Sequence, residues 1–328
     1  MVDRQGQTGT TAVVSKSRRT TTTPPATTPP SRAPWLTLRR REALTGYAAI
    51  LPWLLGFLLL TAGPMAFSAY LMFTQWDLIS SPEWIGFGNF SRLVHDDVFR
   101  EALWNTVMYT ALTVPLQLVV ALAVALLLNL DIIGRNVYRA AVFLPSQIPF
   151  VATAILWFII YNPNSGLANE LLGKVGIGSV NWLDDSHTVK PALIIMGVWA
   201  FGNAMIIFLA GLQNIPIHLH EAAAIDGAGI IGRFWHITLP MLSPTIFFNL
   251  IIGTIGALQV FVPPYVMTGG GPGNSSLMGV LYIYQTGFQN FSMGYASVLS
   301  WILFLVILFL TLGQFRLARR WVYYEGDA

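Results

Sequence analysis

The chain has 328 residues, 54% hydrophobic and only 10% charged, with a formal net charge of +3 and a mean hydropathy of +0.60. A water-soluble globular domain carries about 25% charged residues, so this composition excludes an ordinary soluble fold and predicts a membrane protein. Cysteine is absent, which removes disulfide frameworks, thiolate metal sites, iron-sulfur clusters and cysteine nucleophiles.

Residues 1–40 form a basic tail rich in Thr and Pro, as in Thr20 to Thr23, Pro24, Pro25, Thr27, Thr28, Pro29 and Pro30. It offers nothing to pack and is expected to be disordered and cytoplasmic. A secretory signal peptide is not expected, because the apolar stretch begins late and is too long for an h-region. From residue 41 to 328 the gaps between charged residues repeatedly exceed the roughly 20 residues that a crossing needs. Six helices are predicted, at residues 46–73, 103–128, 138–161, 190–212, 244–267 and 293–315. Backbone polar groups in hydrocarbon must bond internally, so the fold class is an all-α membrane protein with six transmembrane helices. Without the tail before Leu38, nine flanking basic residues fall on the side of the N-terminus and four on the other, which places both termini in the cytoplasm.

The cores of these spans contain no Asp, Glu, Lys or His. Proton or cation movement usually needs such groups, which weakens the reading of a self-contained ion-coupled secondary carrier, although carbonyls and hydroxyls can still build a cation site. The nearest approach to a phosphate-cradling loop, Gly166 to Lys174, has the wrong spacing and places Val175 where a magnesium-binding hydroxyl belongs. His218, His220 and Glu221 resemble a zinc-protease helix, but position 224 is alanine. No catalytic residue, metal site or nucleic-acid partner is therefore expected. Gly269 to Ser276 reads as a structural turn.

Residues 216–244 hold the concentrated polar signal on the cytoplasmic side. Pro216 precedes a short helix with Glu221 in its opening turn, followed by Ala222, Ala223 and Ala224. Asp226, Gly227, Ala228 and Gly229 break that helix, and a second segment presents Phe234, Trp235 and Ile237 before Pro240 and Pro244. Two short helices about a glycine bend are predicted to project as a knob.

These residues resemble the EAA motif of binding-protein-dependent ABC importer permeases. The match consists of Glu221, Ala222, Ala223, Asp226, Gly227 and Ala228, then Ile237, Leu239 and Pro240 after the family's gap. Further agreement lies in Gly86 to Phe90, Asn105 and Thr106, Leu144 to Pro149, Asn162 to Leu172, Leu209 to Pro216 and Thr268 to Pro272. Together they resemble the carbohydrate branch, on the side of the maltose-type "F" permease. The resemblance implies the ABC type I importer permease fold in a bacterial plasma (inner) membrane. It implies as partners a second homologous permease, two ABC ATPase subunits and an external solute-binding protein, besides membrane lipid. No cofactor is expected on this chain, since ATP and Mg would sit on the ATPase, in whose cleft the loop docks. The resemblance further implies that within it Glu221 can pair with a basic group, Gly227 allows the bend and Phe234 can anchor in an apolar pocket.

A sugar path needs uncharged hydrogen-bonding groups and aromatic faces, which Trp199, Asn203, Gln259, Phe261 and Tyr265 supply; Asn249 and Gln147 are weaker candidates. Asn203 and Gln259 serve equally well as interhelical glue. The family's amides are missing at Gly253, Ala257 and Val260, so its sugar contacts do not transfer. Pro263 and Pro264 are expected to interrupt the fifth helix. The aromatic segment Leu277 to Phe291 suits a membrane interface or a cover over the outer opening. Asp96, Asp97 and Glu101 suit either an external binding protein or a solvated face. The function implied is import of a sugar or oligosaccharide, with glycerol phosphate left open.

Overall fold

The structure, a computed structural model, describes residues 38–131 and 133–323. The expected disordered tail lies outside them up to residue 37. Helix begins earlier than predicted, at Leu38, so Arg39, Arg40 and Arg41 are already helical. Helix α1 (Leu38–Phe57) runs through a π-helical turn, Leu58–Ala62, into α2 (Gly63–Leu71). A two-stranded antiparallel hairpin follows, with β1 (Thr74–Gln75) and β2 (Glu83–Trp84) pairing Thr74 with Trp84, and then α3 (Gly88–Val94).

Helix α4 (Asp97–Leu128) has 32 residues, which at about 1.5 Å per residue is ample to cross a bilayer. Asp96 caps it by accepting the Phe99 N–H at 2.8 Å. Its buried residues, among them Ala102, Thr106, Tyr109, Thr113, Ala121 and Ala125, recur at helical spacing. Much of the bundle packs against it: the later helices Val189–Trp199, Gly202–Gln213, Ser243–Leu258 and Gly279–Tyr284 all make contact with α4.

The predicted third helix, 138–161, is not one helix. Helix α5 (Arg135–Phe143) and a 3-10 turn, Leu144–Gln147, meet α6 (Phe150–Ile160) at 95°. Pro145 and Pro149 explain the bend, since neither donates a backbone N–H and each restricts the residue before it. After α7 (Leu167–Lys174), the predicted fourth helix is likewise divided into α8 (Val189–Trp199) and α9 (Gly202–Gln213), bent by 42°. The rejected nucleotide motif is α7 itself with Gly166 as its N-cap, and Glu170 and Lys174 pair along it at 3.1 Å.

Three short helices follow, α10 (Ile217–Ile225), α11 (Ile230–Arg233) and α12 (Leu239–Met241), with a π-helical turn, Phe234–Thr238, between the last two. The predicted fifth span is α13 (Ser243–Leu258) and α14 (Val262–Met267). Its interruption falls at Gln259 to Phe261, ahead of the two prolines, which occupy the first turn of α14, where a missing N–H costs nothing. Helix α15 (Gly279–Tyr284) ends in a π-helical turn, Gln285–Gln289, and α16 (Met293–Ala318) is the last span. Among the described residues four helical runs are long and apolar enough to cross a membrane, and up to six if each bent pair is one span.

Candidate functional site

The protruding end is built from local bonds. Pro216 precedes α10, and the helix closes with a hydrogen-bond pattern that requires a left-handed residue. Gly227 adopts φ +82°; its N–H donates to Ala224 O at 3.1 Å, and that of Ala228 donates to Ala223 O at 2.8 Å. This is a Schellman closure, and a side chain at residue 227 would strain it. The expected bend between two short helices is therefore present. Glu221 is not in the opening turn, because α10 starts at Ile217, so the carboxylate stands beyond the macrodipole's main reach.

Glu221, Ala222, Asp226 and Gly227 are exposed, whereas Ala223, Ala228, Phe234, Ile237, Leu239 and Pro240 are half-buried. Besides Trp235, the apolar surface of the knob comes from isoleucines that the sequence pattern did not single out. Ile225 is 87% exposed, Ile230 79% and Ile231 75%, and Trp235, edge-on to Phe234 at 5.5 Å, is more open than Phe234. Exposed isoleucines on helices of nine and four residues, beside a carboxylate and alanines, make a surface suited to a partner's cleft.

Near the break in the fifth span, Phe261 stacks on Tyr265 with ring centroids 5.1 Å apart and planes 14° from parallel. Tyr284 lies edge-on to both, at 5.3 and 5.5 Å, and Phe288 extends the group. Tyr265 is 41% exposed, so part of this aromatic face is open. Asn203 and Gln259 are also exposed and make no side-chain hydrogen bond among the described residues. The interhelical glue is supplied elsewhere. Gln117 of α4 donates to the Gly197 and Ala200 carbonyls at 3.3 and 3.0 Å, satisfying groups freed by the α8/α9 bend. Trp199 stands apart from the aromatic group, half-buried and edge-on to Trp157 at 5.8 Å. Asn249 is buried, while Gln147 bonds only its neighbour Ser146.

The opposite end is tied together over long sequence distances. Asn105 donates to the carbonyls of Asn274 and Leu277 at 2.8 and 3.1 Å, and Thr106 accepts the Gly279 N–H at 2.8 Å. Asn89 donates to the carbonyls of Met72 and Thr74 at 3.0 and 2.8 Å. Ser276 bonds Thr268 and Gly271 O at 2.6 Å each, making Gly269 to Ser276 the structural turn expected. Asp96 faces inward, accepting from Tyr282 OH at 2.8 Å and Tyr295 OH at 2.5 Å, with the Arg92 guanidinium 4.1 Å from the Tyr295 ring centre. Burial pushes the Asp96 carboxyl up, but the hydrogen bonds from Tyr295, Phe99 N–H and Tyr282, with the Arg92 charge, outweigh it and hold the group below its ordinary range. Asp97 instead pairs with Arg100 in the open at 2.7 Å.

Comparison with known proteins gives a consistent set. Residues 85–323 match the family described as "Binding-protein-dependent transport system inner membrane component". The probable ABC transporter permease protein YesP of Bacillus subtilis is 42% identical over 88% of this chain and 94% of its own length. The trehalose/maltose transport system permease protein MalF of Thermococcus litoralis is 38% identical over 85% of this chain and 97% of its own. Among solved structures, a chain of a bacterial ABC transporter that imports the acidic polysaccharide alginate superposes with a TM-score of 0.73 at 27% identity, covering 85% of this chain and 96% of that one.

Proposed function

The chain belongs to the binding-protein-dependent transport system inner membrane components and is a permease subunit of an ABC importer, and from this premise we propose that its cargo is a neutral sugar or oligosaccharide. The alternative of a self-contained ion-coupled carrier finds no support. The observation that carries the sugar reading is the open face of Phe261, Tyr265 and Tyr284 next to the exposed amide of Gln259, with a second exposed amide, Asn203, on α9, in stretches 191–215 and 237–315 that contain no charged residue or histidine. Aromatic faces bind the apolar faces of sugar rings, and unpaired amides bind hydroxyls. An anionic cargo such as glycerol phosphate or alginate has no cation to meet there. The trehalose/maltose relative points the same way.

The knob at 216–244 is proposed to dock in a cleft on a separate ATPase subunit. Glu221 offers a carboxylate to a basic group, Ala222 and Ala223 permit close approach, and Ile225, Ile230, Ile231 and Trp235 supply the apolar area. Both termini then lie in the cytoplasm and Asp96 with the aromatic cluster on the outer side. The complete transporter pairs this chain with a homologous permease, two ATPase subunits that bind ATP and Mg, and an external solute-binding protein; the alginate importer has been solved in complex with such a periplasmic protein.

The test is uptake into proteoliposomes holding this chain with the partners encoded beside it. ATP-dependent entry of a neutral saccharide, reduced by Gln259→Leu or Tyr265→Ala and unaffected by collapsing ion gradients, is the expected result. Uptake without ATP, driven by an ion gradient, would sink the reading.

A further inference from the structure

The coupling knob leads directly into α13, and a second mechanical connection leaves the same point. Ser243, buried at the start of α13, donates its hydroxyl to Pro240 O at 2.6 Å and accepts the Tyr323 N–H at 2.9 Å. Both hydrogen-bonding roles of one small side chain thus join the last residue of the motif to the segment beyond α16. Aromatic rings reinforce the joint: Phe247 of α13 lies edge-on to Phe315 at 5.2 Å and to Trp321 at 6.2 Å. Gln314 of α16 donates to Thr254 of α13 at 2.8 Å.

Helix α16 is then continuous for 26 residues, about 39 Å at 1.5 Å per residue, with no proline within it. Its far end is pinned as firmly as its near end. The Met293 N–H donates to Trp76 O at 2.9 Å, and Tyr295 OH donates to Asp96. The same Asp96 oxygen accepts from Tyr282, two residues before Tyr284 on α15, and Tyr284 is the ring that closes the aromatic face of Phe261 and Tyr265.

We propose that α16 is a rod that carries motion of the coupling knob to the aromatic face of the sugar path, pinned at one end by Ser243 to Tyr323 and at the other by Tyr295, Asp96 and Tyr282. Ser243 and Tyr295 are positioning residues in this scheme, since neither touches cargo or nucleotide. A helix transmits displacement well when both its ends are held by directional bonds, because packed elements shift as units rather than deform. The inference rests on the importer reading and on docking of the knob to an ATPase.

The experiment uses the whole transporter, purified with its encoded partners in lipid nanodiscs, and ATP with vanadate as the probe. The chain has no native cysteine, so a single spin label can be placed at Gln213→Cys beside the knob or at Phe288→Cys beside the aromatic cluster. In the parent protein both labels are expected to change mobility when nucleotide is trapped. Ser243→Ala, truncation after Arg320 and Tyr295→Phe are each expected to reduce the Phe288 response roughly 3- to 10-fold while the Gln213 response persists. The Ser243→Ala and Tyr295→Phe double variant is expected to be no worse than either single one, since distant sites otherwise add. A full Phe288 response in Ser243→Ala or Tyr295→Phe, or additive losses in the double variant, overturns the rod. Silence of both labels in the parent protein overturns the importer reading itself, and the rod with it. Persistence of the Gln213 response excludes misfolding as the cause of a lost outer signal.

Discussion

The two ends of the molecule are held in opposite ways. The end bearing Asn89, Asp96, Asn105 and Thr106 is closed by side chains that reach backbone groups up to 173 residues away in sequence. The knob at the other end is closed within itself, by bonds from residues 227 and 228 back to residues 224 and 223. The first arrangement resists rearrangement, because separating the segments leaves buried carbonyls without partners. The second is closed by bonds that do not involve the rest of the chain, as the proposed docking as a unit requires. Under the proposed docking, rigidity falls where the path would close and autonomy where force would enter.

The sharpest way to break this contrast is at Gly294, where a Cβ would stand 2.0 Å from Thr74 O, a backbone atom that cannot swing aside. Gly294→Val is expected to cost more than about 3 kcal/mol, enough to abolish a monodisperse peak in size-exclusion chromatography of detergent-solubilised protein. Asn105→Ala comes next. It removes the side-chain donor from the Leu277 carbonyl, leaves the Asn274 carbonyl with the Leu277 N–H alone, and is expected to cost about 2 kcal/mol, seen as a lowered thermal midpoint without loss of folding at 25 °C. A thermal midpoint unchanged by Asn105→Ala would mean that the outer end is not bolted as described.

At the knob the balance should invert: because its closure is local it can open without the bundle, so the thermal midpoint of the bundle should hold while assembly is affected. Gly227→Ala forces a Cβ into φ +82°, a strain of about 1 to 2 kcal/mol that should weaken binding of the purified ATPase subunit roughly tenfold. Gly227→Asn should lose less, since Asn tolerates the left-handed region. Equal binding by all three proteins would show that the bend is not what the partner reads.

The same contrast sets how far the sequence could be read. The knob was legible because its closure is local: a helix-forming run, then Asp226, Gly227 and Ala228, states its own ending within six residues. The membrane spans were legible as gaps between charges, which is why five of the six predicted ranges overlap long or gently broken helical runs. The 95° turn at Ile148 and Pro149 was missed because hydropathy sums apolar content and is blind to the missing N–H of Pro145 and Pro149. Gln117 was missed for a different reason. An amide in a transmembrane helix announces only that it needs a partner, and its partners, the carbonyls of Gly197 and Ala200, are created by a bend that no local pattern revealed. Asp96 was read as a surface acid because its tyrosines lie 186 and 199 residues away.

The smallest effect, and the most selective, is the response to acid. Two carboxyls at the bolted end are held below their ordinary range, Asp96 by the balance described above and Asp77 down to about 2, first by the Ser80 hydroxyl at 2.7 Å and then by the N–H groups of Ser80 and Ile79. For a group depressed in the folded state, the stabilisation is complete above its unfolded pKa, about 3.9, and drains away as pH falls through the folded value. Asp77 is bonded only within its own turn, to Ser80 and Ile79, and solvent screens its contribution, so the slope should come mainly from Asp96. Thermal midpoints are therefore expected to be flat from pH 7 to about 5 and to decline below about 4, with Asp96→Asn lowering the plateau and flattening that decline. An acid decline of the same steepness in Asp96→Asn would place the sensitive group elsewhere and remove Asp96 as the pin of the outer end.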